Sequence, residues 1–167
     1  MTNYTSFNAV LASDTHQPAS TMEALYALAD ESVGARLFTL TTVEPVTGEY
    51  ARIYSNEPDA YPVFGRKPAD ISDWSNYVLR DRKSFVANDI ATIAARFPDH
   101  ALIRSLGCES VINVPIEVCG RVVGTINMLH EAGYYTAEKV RASELLKLPG
   151  AVCFLLVNQL EGIAGAD

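Results

Sequence analysis

No stretch of the 167-residue sequence stays apolar for the roughly 20 residues that a membrane-spanning helix needs. No window concentrates basic residues either. The short groups Arg66-Lys67 and Arg80 to Lys83 are flanked by acids, and 13 Lys and Arg stand against 20 Asp and Glu for a net charge of −7. A nucleic-acid partner needs a positive footprint to meet its phosphates, and an anionic membrane surface repels this charge. Both partners are therefore excluded. The three cysteines, Cys108, Cys119 and Cys153, are odd in number, widely spaced and free of any CxxC. That pattern excludes a disulfide framework and a zinc cluster. His16, His100 and His130 are scattered without helical or strand pairing, so no metal site is expected. The first 20 residues lack the basic start and apolar stretch of a signal peptide. The expectation is a cytoplasmic, reduced protein.

What is present is a composition fit for a packed core, 49% apolar and 20% charged. One domain is expected over residues 20–160, with a flexible, irregular leader at 1–19 and a C-terminal tail at 161–167. Ser20-Thr21-Met22-Glu23 has capping-box spacing, and apolar residues at helical spacing carry a helix to about Ser32, ended by Gly34. Ala35 to Val43 and Glu49 to Ser55 read as a hairpin about Thr47-Gly48. The loop from Asn56 to Asp70 holds Pro58, Pro62, Pro68 and Gly65 and carries Tyr61 and Phe64. Ser72 caps a short helix in which Trp74, Tyr77, Val78 and Asp81 share a face. Ser84 to Ala87 is a short strand, and Asp89 caps a helix from Ile90 to Arg96, with another helical turn at Leu102 to Leu106. Ser110 to Val118 and Arg121 to His130 are the clearest strands, turning at Cys119-Gly120. Thr136 caps a helix that Pro149-Gly150 interrupts, and Ala151 to Leu160 resumes it as a buried or interface helix.

This order is an α+β pattern whose antiparallel sheet carries long helices on one face. Side chains alternate across a strand, so Ile112, Val114, Ile116 and Val118 belong against helices, as do Gly124, Ile126 and Met128. Asn113, Thr125 and Asn127 then sit on the opposite face. Two readings stand open: a wet face of an antiparallel sheet, or a covered cavity in which amides orient a small ligand. The long connection carrying Tyr61, Phe64, Trp74 and Tyr77 supplies a lid for the second.

Ser84-Phe85-Val86-Ala87-Asn88-Asp89-Ile90, then Ile103-Arg104-Ser105-Leu106-Gly107, then Ser110-Val111-Ile112-Asn113-Val114-Pro115-Ile116 resembles the core of a GAF domain. Gly120-Arg121-Val122-Val123-Gly124-Thr125-Ile126-Asn127 resembles the family's next strand, and Tyr135-Thr136-Ala137-Glu138 its helix opening. The resemblance covers about Ser20 to Leu160. It implies a central antiparallel sheet of five to six strands with terminal helices packed on one face. Loops and short helices would cover a ligand pocket on the other. The family binds cyclic nucleotides, tetrapyrroles, haem, amino acids and aromatic effectors, and often dimerises through its terminal helices. With no kinase, cyclase or DNA-binding domain in the sequence, such a module would signal through a separate effector protein or act alone.

Among family members that act alone are the free methionine-R-sulfoxide reductases, and Arg96-Phe97-Pro98-Asp99-His100 resembles their Phe-Pro-x-His segment. The resemblance puts their catalytic cysteine on Ile103 or Arg104 and their substrate-binding carboxylates on Val111, Asn127 and Leu129. Without a thiolate that reduction cannot run. Neither Cys108 nor Cys119 is followed by histidine, so the usual bilin-attachment pattern is missing too.

The leading expectation is a non-catalytic, homodimeric sensor of a small aromatic or anionic metabolite held by Trp74, Tyr77, Arg104, Asn113, Thr125 and Asn127. Arg104 is either a clamp at the pocket rim or a surface partner of Glu109 or Asp99. The alternative is a small-molecule enzyme drawing an acid, base or nucleophile from His100, Asp89 and Cys108. A third reading is a protein-interaction module built on Ala151 to Leu160. No cofactor is assigned, and no histidine is singled out for haem.

Overall fold

The computed structural model describes residues 4–164. Five strands form one antiparallel sheet: β1 Leu37–Val43, β2 Tyr50–Ser55, β3 Phe85–Ala87, β4 Ser110–Val118 and β5 Arg121–His130, in the order β2-β1-β5-β4-β3. The helices are α1 Thr5–Leu11, α2 Ala19–Ser32, α3 Asp73–Ser75, α4 Ile90–Ala94, α5 His100–Ser105, α6 Ala137–Glu144 and α7 Lys147–Ala164. A single π turn, Asn76–Arg80, extends α3. No helix among the described residues is long and apolar enough to cross a membrane.

The alternation in β4 and β5 does what its pattern requires. Ile112, Val114, Ile116, Ile126 and Met128 pack with Phe38 and Leu40 of β1 against Leu25, Leu28 and Ala29 of α2 and Cys153 and Phe154 of α7. Burying each large side chain contributes about 1.5–3 kcal/mol. Gly124 is required here, because a Cβ on it would lie 2.6 Å from the Phe154 ring and 2.7 Å from the Thr41 carbonyl. The β4–β5 turn places Cys119 and Gly120 both at positive φ, the backbone of a tight hairpin loop.

Four local expectations are corrected. The leader is not irregular throughout: α1 occupies Thr5–Leu11, Phe7 is in the main core, and the Tyr4 hydroxyl donates to the Leu145 carbonyl at 2.9 Å. Ser20 is not an N-cap. It lies inside α2, which starts after Pro18, and its hydroxyl donates back to the Thr15 and His16 carbonyls. Pro149-Gly150 does not break the last helix but sits in its first turn, where proline's missing N–H is no loss. The break falls at Leu145-Leu146, and Gly150 lets α7 approach Ile116 and Ile126 closely. Finally, α7 continues to Ala164, past the tail boundary expected at 161; residues 1–3 and 165–167 lie outside the described residues.

Asp89 and Thr136 do cap α4 and α6, accepting from the amides of Thr92 and Lys139. Ser72 forms a capping box with Ser75 at the start of α3. On the sheet face away from the long helices, a second cluster joins Leu37, Tyr61, Ala87, Ile93, Ile103, Cys108, Val111 and Leu129.

Candidate functional site

The second sheet face is roofed by the β2–α3 connection, α3 and the α4–α5 segment, and the roof does not fill it. A cavity of about 390 Å³ remains, within the range of small-molecule sites. Its floor comes from alternate residues of four strands: Thr39 and Thr41 of β1, Arg52 of β2, Val111 and Asn113 of β4, and Thr125, Asn127 and Leu129 of β5. Its wall is Tyr61, Phe64, Trp74, Leu79, Phe97 and Ile103, with Asp70, Arg96 and Asp99.

One rung of the sheet organises the floor. Thr39 pairs across to Asn127, and Asn127 to Asn113, so the three side chains stand in a row perpendicular to the strands. The Trp74 indole N–H donates to Asn113 Oδ1 at 2.9 Å, and Asn113 Nδ2 donates to Asn127 Oδ1 at 2.8 Å. Asn127 Nδ2 in turn donates to the hydroxyl oxygens of Thr39 at 3.2 Å and Thr41 at 3.3 Å. The direction of this relay is fixed at one end. An indole N–H can only donate, so both amides must present oxygen toward Trp74 and nitrogen toward the threonines. The relay ties the roof to the floor and leaves the Thr39 and Thr41 hydroxyl hydrogens free for an acceptor.

The other end of the cavity is cationic. The guanidinium of Arg52 lies 4.7 Å from the Tyr61 ring centroid and 4.9 Å from that of Phe64, and Nη1 donates to the Pro62 carbonyl at 3.0 Å. Its Nε is buried without a partner. Burial pulls the Arg52 pKa down, opposed by the nearby Tyr61 and Asp99. The Tyr61 hydroxyl donates to Asp99 Oδ2, and burial, then that bond, push its pKa upward. This latch holds the β2–α3 connection to the loop before α5. Arg96 is paired with Asp73 at 3.4 Å.

Of the expected ligand residues, Trp74, Asn113, Thr125 and Asn127 line the cavity. Tyr77 does not. The π turn after Trp74 is wider than an α turn, so Val78 takes the buried position and Tyr77 is 41% exposed, edge-on to Phe85 and beneath Lys83. Arg104 is outside as well: Ile103 takes the cavity-facing position of α5, and the next residue, about 100° further round, points away. It faces Glu109 at 4.0 Å with 67% of its side chain exposed.

None of the three catalytic candidates lines the cavity. Asp89 is spent on its cap, which lowers its pKa through the bonds from Thr92. His100 Nδ1 is 3.1 Å from the Phe97 carbonyl. Cys108 is buried, which raises its pKa and disfavours the thiolate. Arg52 had no place in the sequence reading, and Tyr61 was expected there as part of the lid but without its bond to Asp99.

The family model for the GAF domain, GAF_2, matches residues 15–146. The chain belongs to the GAF domain family. This is a family of small-molecule-binding sensory domains in signalling proteins. Its GAF fold is also seen in solved structures of low identity. The GAF domain of a two-component sensor histidine kinase from Bacillus halodurans is 13% identical, with a TM-score of 0.69 over 87% of this chain and 98% of that one. A GAF domain/HD domain protein from Geobacter sulfurreducens is 16% identical, with a TM-score of 0.63 over 84% and 91%. The free methionine-R-sulfoxide reductase from Neisseria meningitidis, solved with its substrate, is 18% identical, with a TM-score of 0.63 over 92% and 87%. No curated protein sequence matches significantly. In this GAF domain the positions that correspond by resemblance to the reductase cysteine are a buried Ile103 and an exposed Arg104. Val111, Asn127 and Leu129, where the resemblance would put the reductase carboxylates, all line the cavity.

Proposed function

We propose that this GAF domain is a non-catalytic sensor that binds one small metabolite between its sheet and its aromatic roof. The observation that carries the reading is the open cavity of about 390 Å³, held at a fixed height by the Trp74–Asn113–Asn127 relay. A module that worked only through its surface would have no need of a roof spaced away from the floor. The three residues that an enzyme reading drew on, His100, Asp89 and Cys108, lie outside its lining, and of the carboxylates that do border it Asp99 is bonded to Tyr61 and Asp70 to Ser72. Trp74, Asn113, Thr125 and Asn127 contact the ligand in this reading, and Tyr77 and Arg104 do not.

The reading extends to a cytoplasmic homodimer that signals to a separate effector. Leu145, Leu148 and Leu155, exposed at the α6–α7 junction and along α7, support association through the terminal helices. The binding claim is tested by thermal melting across a broad metabolite panel. One class should raise the melting temperature saturably and without turnover, a ligand at 100 times its Kd adding about 2.7 kcal/mol. Consumption of the stabilising compound would instead mark an enzyme, and a panel with no stabiliser would overturn the reading.

A further inference from the structure

Arg52 is built into the cavity lining in a way that leaves one part of it unused. Its guanidinium lies against the rings of Tyr61 and Phe64, and Nη1 is engaged by the Pro62 carbonyl. No carboxylate among the described residues pairs with it, whereas Arg96, the other cation of the lining, has Asp73. Its Nε is the one buried side-chain polar atom without a partner among the described residues. A buried donor left unmade costs about 1–3 kcal/mol, more when charged, so its retention needs a reason.

We propose that the Nε edge of Arg52 is the anchor for the carboxylate of a monoanionic ligand whose apolar body lies between Trp74, Phe97 and the sheet. The Nε–H runs parallel to one N–H of Nη2, which is neither hydrogen-bonded nor buried, and a carboxylate that approaches through Nη2 accepts from the two side by side. One unpaired cation matches one negative charge. A phosphate dianion would find no second free cation in the cavity lining, because Arg96 is already paired and Asp70 and Asp99 also border the cavity. The Asp99 carboxylate is turned to the Tyr61 hydroxyl and is open to solvent, where its repulsion is screened. The Thr39 and Thr41 hydroxyls serve any acceptor on the ligand body. This inference rests on the binding reading above and gives it a chemical class.

The test is a titration of the nitrogen-15-labelled protein with benzoate, with neutral benzamide and with phenyl phosphate. Two resonances are followed. The indole N–H of Trp74 is unique because the chain has one tryptophan. The Nε–H of Arg52 is identified by its loss in Arg52→Lys. Benzoate should shift both saturably, benzamide at most the indole, and Arg52→Lys should weaken benzoate by about ten-fold or more while leaving benzamide unchanged. Phenyl phosphate should bind more weakly than benzoate. Indole shifts with a silent Arg52, or equal affinity for acid and amide, would overturn the anchor and leave the cavity reading intact. Preference for phenyl phosphate would overturn the carboxylate assignment. If neither resonance responds to any of the three probes, the anchor is overturned, and the binding reading stands or falls on the metabolite panel.

Discussion

The two faces of the sheet are made from the same strands yet held by different physics. On the helix face, Phe38, Ile112, Ile126, Met128 and Phe154 are fully buried and interlock so tightly that Gly124 has no room for a methyl group. On the roofed face, the same strands offer Thr39, Thr41, Asn113, Thr125 and Asn127, whose hydrogen bonds border a space beside a smaller apolar cluster. Dispersion and area burial fix the first face and give it no vacancy. The second face has a smaller apolar cluster and, around the space, a directional relay that can hold a roof at a distance. Stability is concentrated on one side of the sheet, and the capacity to take up a ligand on the other.

Substitutions on either face can break or sharpen this contrast. Phe154→Ala should be the most damaging, losing about 3–5 kcal/mol in urea unfolding because the closed face cannot collapse around the hole. Asn127→Ala should lose about 1–3 kcal/mol by leaving Asn113 Nδ2 and the threonine hydroxyls without their partner. It should also change the fluorescence of Trp74, whereas Phe154→Ala at matched native fraction should not. Arg52→Met keeps the alkyl stem and removes the unpaired donor, but also the Pro62 bond and both ring contacts, so the ligand-free protein should change by no more than about 1 kcal/mol in either direction. A loss well beyond that would mean that Arg52 serves the fold rather than a ligand.

The smallest effect concerns His130, at the helix-side end of β5. It stacks on Tyr134 at 3.4 Å, and its Nδ1 accepts from the Glu131 amide at 2.9 Å, a bond that needs that nitrogen unprotonated. Burial, then Arg36, lower its pKa below the usual 6.5, with Lys139 adding and Glu131 and Asp30 opposing. A lowered histidine pKa stabilises the folded state above about 6.5 and loses that contribution as pH falls through the depressed value. The urea midpoint should therefore drop more between pH 7.5 and pH 5.5 in the natural chain than in His130→Gln. Equal drops would remove the titration of His130 from the account.

The closed face was legible because packing writes itself into alternation. The spacing in Ser110 to His130 predicts β4 and β5 with the observed bounds and, except at Val123, which joins the helix-side core where the pairing slips, the right inward residues. The same alternation put Asn113, Thr125 and Asn127 on the other face, but not their bonds: the amides were expected to meet a ligand and largely meet one another. Arg52 was hidden by an irregularity. The pairing of β1 with β2 slips between Leu40 and Thr41, so Arg52 faces the cavity while Tyr54, two residues on, packs with Tyr26 and Phe38. Simple alternation would put Arg52 and Tyr54 on one side. Tyr77 and Arg104 were misplaced for a related reason. The width of a π turn and the rotation of a six-residue helix are set by tertiary contacts, which local spacing does not encode.

The central claim is that the roofed face of the sheet takes up a small molecule, and the most direct measurement places a filler there. Thr41→Phe projects a ring into the cavity from a strand whose other face is already packed. Any compound that saturably raises the melting temperature of the natural protein should have no effect on Thr41→Phe, while the two unliganded proteins keep the same circular dichroism. Equal stabilisation of both by the same compound would place the ligand elsewhere and contradict the account.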